Sequence, residues 1–345
     1  MPASPFDRLE INATVNGSLV KGLLQASIAH TNCFSSDSYA LTFAMGPPPL
    51  GDISFWSSLS SAYVEVSSAN ASDQTWQSLI SGMVDMVHID PIRGIISIEG
   101  RDLSSVLIDS YRQQDFVNQT ASEVASTLAS YHGLTPAVAA TTSNVGRYYG
   151  DGYTRLSLGQ FSRLRSDWDL VVQLARENAF DVFVQGNTLF FQPATSSANL
   201  PVHIAFGDVK TIRFEQTLSI ASNATARVQS WNSQIMASYD SNSPSGNALP
   251  TQTTFTATNQ PYLFSASNFT SQQVTDTAGR YATELGRLGV VLHAEMPWDL
   301  ALSPRTIILI DETRSILDTT YKIESVERHF STTSGSSQTI RAVVA

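Results

Sequence analysis

The alternation of apolar and polar residues, and the two places where it breaks off, constrain this chain more than any motif in it. Leu9, Ile11, Ala13 and Val15 alternate with Glu10, Asn12, Thr14 and Asn16, a period of two that turns one set of side chains to one face of a strand. Asn16-Gly17 then supplies the positive φ angles of a tight hairpin. Tyr39, Leu41, Phe43 and Met45 repeat the pattern until Gly46-Pro47-Pro48-Pro49 stops it, and short apolar runs follow at 62–66, 79–89 and 92–99. Five or six strands with no long helix among them read as a small closed β-barrel or sandwich over residues 1–102.

At Arg101-Asp102 the period changes. Leu103, Val106 and Leu107 have helical spacing, and Thr120-Ala-Ser-Glu123 is a capping box that opens a helix with Val124, Ala125, Leu128 and Tyr131 on one face. Ser166-Asp-Trp-Asp169 opens a second helix running through Asn178, with Trp168, Val171, Val172 and Ala175 inward. A hairpin follows, 180–184 and 188–192 about Gly186-Asn187, so residues 103–200 form an α+β domain. From Val202 the period returns to two, with strands expected near 202–206, 209–220, 224–238, 306–310, 319–330 and 338–344. This second β-barrel, residues 201–345, is interrupted at about 241–296 by an insert. Its first part, 241–261, is poor in apolar residues and reads as an exposed loop open to protease; its second is a helix that Thr270-Ser-Gln-Gln273 caps, with Val274, Ala278, Tyr281, Ala282, Leu285 and Leu288 as its stripe. The fold class is therefore mainly β with α+β elements: two barrels flanking an α+β unit. No sequence repeat relates the two barrels.

Composition narrows the function. The 345 residues carry a formal net charge of -10, yet charged side chains make up only 14%, against about 25% in an ordinary soluble chain. Three lysines and seventeen arginines are scattered without a basic stripe, which excludes the phosphate-neutralising surface of a tight nucleic-acid binder. Residues 1–102 hold ten acidic and four basic side chains, net -6, while 103–200 and 201–345 are each net -2. That sign repels a polyanion. No apolar run reaches the roughly 20 residues of a membrane helix, and the first residues lack the pattern of a secretory signal, so synthesis in a cytoplasm is expected. Cys33 is the sole cysteine, and the Asn-x-Ser/Thr sequons at Asn12, Asn16, Asn70, Asn118, Asn223 and Asn268 read as by-products of composition.

The usual catalytic signatures are missing: Gly-x-Ser-x-Gly, the phosphate-cradling Gly-rich loop with Lys, His-Glu-x-x-His and Gly-x-Gly-x-x-Gly. His30 and Cys33 are two ligands where a closed zinc site needs four. Glu324, Glu327, Arg328 and His329 cluster on the penultimate strand and read as a solvated or subunit-facing strand edge. Asp167 and Asp169 stand in the first turn of a helix, where the dipole favours carboxylates and capping accounts for them. Arg147, Arg155, Arg163 and Arg165 form the one local basic concentration and read as a solvated loop or protein interface.

Two stretches are similar to the late control gene D family of contractile-tail baseplate hubs, whose fold is shared with the hub portion of the type VI secretion spike protein, VgrG. The first is Gly100-Arg-Asp-Leu-Ser-Ser-Val-Leu-Ile-Asp-Ser110 with Thr120–Gly133; the second and more specific runs from Ser166-Asp-Trp-Asp-Leu170 through Phe180-Asp-Val-Phe-Val184, Gly186-Asn187 and Leu189-Phe-Phe191 to Pro193. Ser303–Ile310 and Tyr321–Ser331 resemble the closing strands, although Ile323 stands where the family has Val and His329 falls one place late. The resemblance implies a homotrimeric ring of tube-type barrels that joins the sixfold tail tube to the threefold central spike. Such a ring encloses the channel for DNA and meets tape-measure and baseplate wedge proteins in the virion. It implies no catalytic residue, cofactor, metal or membrane insertion. The alternatives are a tail-associated cell-wall glycosidase, for which no carboxylate pair is singled out, a secreted carbohydrate-binding adhesin, and the hub of a related injection or secretion system.

Overall fold

The computed structural model describes residues 9–32, 34–70, 75–111, 114–148, 154–157, 166–194, 200–218, 225–232, 236–244 and 261–345. The first segment gives seven strands: β1 (Leu9–Val15), β2 (Ser18–Leu19), β3 (Leu23–Thr31), β4 (Ser38–Ala44), β5 (Tyr63–Asn70), β6 (Gln77–Asp90) and β7 (Ile95–Asp102), with a short helix α1 (Ile53–Ser57) between β4 and β5. They pair antiparallel in the order β3-β4-β7-β6-β5-β1-β2. Their inward residues, among them Val15, Ile28, Phe43, Val64 and Ile98, meet in one core that Trp56 of α1 closes, its indole nitrogen donating to Leu50 O at 2.7 Å. Gly100 is required where β7 crosses this core, because a Cβ there would overlap Met83 O and the Tyr39 hydroxyl, which themselves hydrogen-bond at 2.9 Å.

The middle segment holds α2 (Ser105–Ile108), β8 (Asp115–Val117), α3 (Ala121–Tyr131), β9 (Thr135–Val138), β10 (Arg147–Tyr148), β11 (Thr154–Ser157), α4 (Asp167–Asn178), β12 (Phe180–Gln185) and β13 (Thr188–Pro193). Both expected helix starts are capping boxes, Thr120 with Glu123 and Ser166 with Asp169. Helix α4 ends at Ala179, whose left-handed φ of 55° turns the chain directly into β12. The inward face of α4 packs with α3 and the β12–β13 hairpin around Leu128, Leu170, Leu174 and Phe191.

The last segment comprises β14 (Val202–His203), β15 (Thr211–Gln216), β16 (Thr225–Asn232), β17 (Ala237–Pro244), β18 (Tyr262–Ser267), α5 (Ser271–Arg287), β19 (Val290–Met296), β20 (Ile307–Ile310), β21 (Thr319–Ser331) and β22 (Gly335–Val344). β16, β17 and β18 form a separate three-stranded sheet backed by α5. The insert thus ends with α5 rather than near 296, because β19 pairs with β15 and β22 in the large sheet. The expected loop 241–261 begins later than its composition suggests, since β17 runs to Pro244; most of the rest lies outside the described residues.

Among the described residues the strand pairing closes neither β segment into the expected barrel. They join in one 13-stranded sheet in the order β15-β19-β22-β21-β3-β4-β7-β6-β5-β1-β2, with β14 and β20 branching from β21. The reason is geometric: a strand has two hydrogen-bonding edges, and those of β3 are taken by β4 and by β21, from Ser325↔Thr31 to Ser331↔Gln25. β3 therefore has no edge left to close the first segment on itself. The 13-residue β21 divides its own outer edge, giving Thr319–Lys322 to β20 and Ser325–Ser331 to β3, with a bulge against β22 between Ile323 and Ser325 at the changeover.

The middle unit is held against this sheet. Asp181 of β12 lies 3.5 Å from Lys322 of β21, both buried, and Arg305 stacks on Phe183 at 3.6 Å. On the other side Trp168 donates to Phe34 O at 3.4 Å while Arg176 covers the Phe34 ring at 4.5 Å. Trp168 is only 4% exposed. Trp168→Ala leaves a cavity at this junction and is expected to cost about 3–5 kcal/mol, read as a lowered urea midpoint at unchanged m-value; a loss within the roughly 0.5 kcal/mol of a surface change would contradict this placement.

Candidate functional site

Three His- or Asp-containing groups deserve testing as chemistry. His132 Nε2 and Ser110 Oγ both meet Asp167 Oδ2, at 2.8 and 3.1 Å. A nucleophilic triad needs the imidazole to stand between carboxylate and hydroxyl; here the carboxylate stands between the other two. Asp167 thus does more than cap α4: fully buried, it ties the ends of α2 and α3 to the start of α4, whereas Asp169 makes the expected capping box. His30 is paired with Asp37 at 2.8 Å; Cys33 lies outside the described residues, and among those residues no group of three or more potential metal ligands converges. Arg147 and Arg155 occupy directly paired positions of β10 and β11, and Arg163 and Arg165 lie outside the described residues.

The Glu324–His329 group is not on a strand edge. It sits in the middle of the large sheet, because β21 is bonded to β22 on one side and to β3 on the other. Alternation splits the group. Arg328 turns into the core, 3% exposed, where a guanidinium nitrogen donates to Leu302 O and burial pulls its pKa down to about 10 against the opposing pull of Asp299 and Asp37. Glu327 and His329 turn outward, 3.9 Å apart, and His329 shares a 3.2 Å hydrogen bond with Ser27 of β3.

That outward face is the most extended feature the fold builds. The register aligns one row of residues, Arg101, Ser38, Ala29, Glu327, Thr339, Glu295 and Thr211, across seven consecutive strands from β7 to β15. At about 4.8 Å per strand this row is roughly 29 Å wide. The next row, Met86, Glu99, Ala40, Ser27, His329 and Ser337, crosses six strands. The side chains are mostly small and neutral, and a shallow hollow of about 300 Å³ lies among Ser27, Ala40, Met86, Glu99 and Arg101. Its cations are engaged locally: Arg101 with Asp85 at 2.7 Å and Asp109 at 2.8 Å, Lys210 with Glu295 at 2.6 Å, Arg213 with Glu215 at 2.8 Å, and Arg341 with Glu324. A phosphate approaching this face has to displace a carboxylate at each cation, so the surface offers polar wetting without a binding charge.

Beneath the same face, Asp102 ends β7 at 6% exposure. Burial, and then the charge of Asp37, push its carboxyl up to about 7, while the Ser104 hydroxyl and amide hold it back.

The large antiparallel sheet with an α+β unit packed on it is a fold shared with phage tail proteins. The tail protein of Neisseria meningitidis MC58 superimposes with a TM-score of 0.72 at 13% identity, over 97% of this chain and 96% of that one. The 43 kDa tail protein of prophage MuSo2 from Shewanella oneidensis gives 0.68 at 16%, over 97% and 98%. The E. coli c3393 protein, a type VI secretion component similar to T4 tail proteins gp27 and gp5, gives 0.56 at 10%, over 98% and 77%. By sequence, the chain belongs to the Alg8 N-terminal domain family, whose model matches residues 70–286, from the end of β5 to the end of α5. No curated protein sequence matches the chain. No helix among the described residues is long and apolar enough to cross a membrane.

The Asp102 site carries a pH dependence of stability. Its folded pKa lies above the unfolded value near 4, so its contribution is full below about pH 4 and is lost as pH rises through 7. Asp102→Asn, neutral throughout, is expected to stabilise the protein by about 2 kcal/mol at pH 8 and to converge with the unmutated protein near pH 4. Parallel thermal melts at the two pH values check this; equal differences at both would contradict the buried, protonated carboxyl.

Proposed function

We propose that this protein is the structural baseplate hub of a contractile phage-type tail, as the late control gene D resemblance implies: a homotrimeric ring that joins the tail tube to the central spike and encloses the DNA channel. The single observation that carries the reading is the β3–β21 pairing, which fuses two β segments into one sheet with one broad, polar face whose named cations are each paired with a carboxylate. A passage for a polyanion has to be wettable and must not hold what passes, and this face meets both demands. We assign it to the channel wall. The opposite side of the sheet is occupied by its own two cores, and so is unavailable to a lumen.

In this reading residues 1–102 and 201–345 are the two tube-type domains and 103–200 is the α+β domain between them, with β16–α5 inserted in the second. Two tube-type domains in each of three chains give the pseudo-sixfold ring that a sixfold tube can meet and a threefold spike can plug. The role is mechanical, performed without catalysis, cofactor or metal, and its partners are the spike, tube, tape-measure and wedge proteins of the tail. The shared fold with a type VI secretion component favours one second reading: the same hub serving a secretion machine.

Light scattering on the purified chain with its spike partner is expected to give a protein mass of three times 37.4 kDa for the ring, in addition to the spike. A chain that stays a monomer with the spike present would overturn the proposal.

A further inference from the structure

The inserted unit presents a second surface, distinct from the face assigned above to the channel wall. In its sheet, Val228 of β16, Tyr239 of β17 and Phe264 of β18 face α5, where Phe264 stacks on Tyr281 at 4.1 Å. Alternation sends Arg227, Gln229 and Trp231 to the other side. The register completes a grid of three rows over three strands: Asn242–Arg227–Leu263, Asp240–Gln229–Ser265 and Ser238–Trp231–Ser267. Trp231 is 57% exposed, on a strand bonded along both edges. Rows lie about 6.8 Å apart and strands about 4.8 Å apart, so a six-membered sugar ring laid on the indole reaches the next row.

That next row is polar and planar. Arg227 Nε donates to both carboxylate oxygens of Asp240, at 3.1 and 3.0 Å, and Gln229 Nε2 donates to the same carboxylate at 3.4 Å. The pairing holds these groups in fixed orientation, which lowers the entropy lost when a ligand binds. It also cancels the two charges of the grid, so the face complements an uncharged polyol and offers nothing to a polyanion or a charged peptide. A protein hot spot needs contiguous apolar area at its centre; here Trp231 and Leu263 are separated by a polar row.

We propose that the outer face of the inserted sheet is a binding platform for neutral oligosaccharides, with Trp231 stacking on a sugar ring and the Gln229–Asp240–Arg227 array hydrogen-bonding its hydroxyls. The proposal stands independently of the hub reading.

Calorimetric titration of the full chain with N,N′,N″-triacetylchitotriose, maltotriose and mannotriose is expected to show saturable binding of at least one, with Kd of about 0.1–1 mM for so shallow a platform. Trp231→Ala is expected to weaken it at least about tenfold, Trp231→Phe to retain part of it, and Gln229→Ala to weaken it several-fold. The melting temperature of Trp231→Ala should stay where it was, because the indole is outside the core. Absence of binding by all three sugars at about 10 mM, or undiminished binding by Trp231→Ala, overturns the proposal.

Discussion

One run of strand pairing, Gln25–Thr31 against Ser325–Ser331, decides the architecture. It joins residues some 300 positions apart in sequence, so it forms at a high loop-closure cost and is stable only once both flanking sheets exist. Its consequence is that the described strands of the two β segments share one sheet. Each lends an edge to the other, and the polar face becomes continuous because the register on both sides of the pairing keeps the same residues outward. A slip of one residue between β3 and β21 would turn Arg328 to solvent and Glu327 into the core.

The buried side of the seam explains why that slip is opposed. Arg328 donates to Leu302 O and pins the loop after β19, and the Trp298 indole donates to Ser337 O at 2.6 Å in the same region. His30 and Thr31 both bond the Asp37 carboxylate, at 2.8 Å each, and so fix the β3–β4 turn that carries Phe34 to α4. Buried charges of this kind add little net stability and serve chiefly to select one arrangement, because removing one partner leaves the other uncompensated. Lys322 with Asp181 works likewise on the middle unit. At the insert, Arg280 of α5 donates to Arg176 O and Glu177 O at 2.7 and 2.6 Å, a cation set on the negative end of α4. Burial raises the Glu177 carboxyl, opposed by Gln173 and Arg280.

Legibility in the sequence followed the strength of the local signal. The three capping boxes, the α4 stripe with Trp168 and the β12–β13 hairpin were readable, because a cap or a 3.6-residue stripe is written within a dozen residues. β3 was not. Its inward positions are Ala26, Ile28 and His30, one large apolar residue among a small and a polar one, so its alternation is faint although it is the seam strand. β21 concealed its place for the same reason: Arg328 inward reads as a surface residue, and a charged cluster reads as an edge. β19 was lost inside the insert because Val290, Val291 and Leu292 are all buried, a run without alternation. The outward face could not be seen at all, since it exists only when the register of seven strands is known.

The charge pattern is the clearest case of function emerging from register. By count, the first segment is the acidic one, and repulsion alone would keep a polyanion off it. In the fold, the outward cations are each paired with a carboxylate of the same face, Arg101 with Asp85 and Asp109, Lys210 with Glu295, Arg213 with Glu215 and Arg341 with Glu324, while Glu99 and Glu327 leave the face a modest acidic excess. Screening over a Debye length of about 8 Å at physiological salt keeps that excess local, so in the hub reading proposed above a polyanion meets weak repulsion and cations that are already paired. On the same proposal a strongly acidic wall would raise the work of bringing DNA past it and a basic one would arrest it, and a face of Ser, Thr and Ala with a modest acidic excess lies between the two. The small residues keep the row low: Ser27 and Ala40 stand between His329 and Glu99 in the register, where a long side chain would rise above the face.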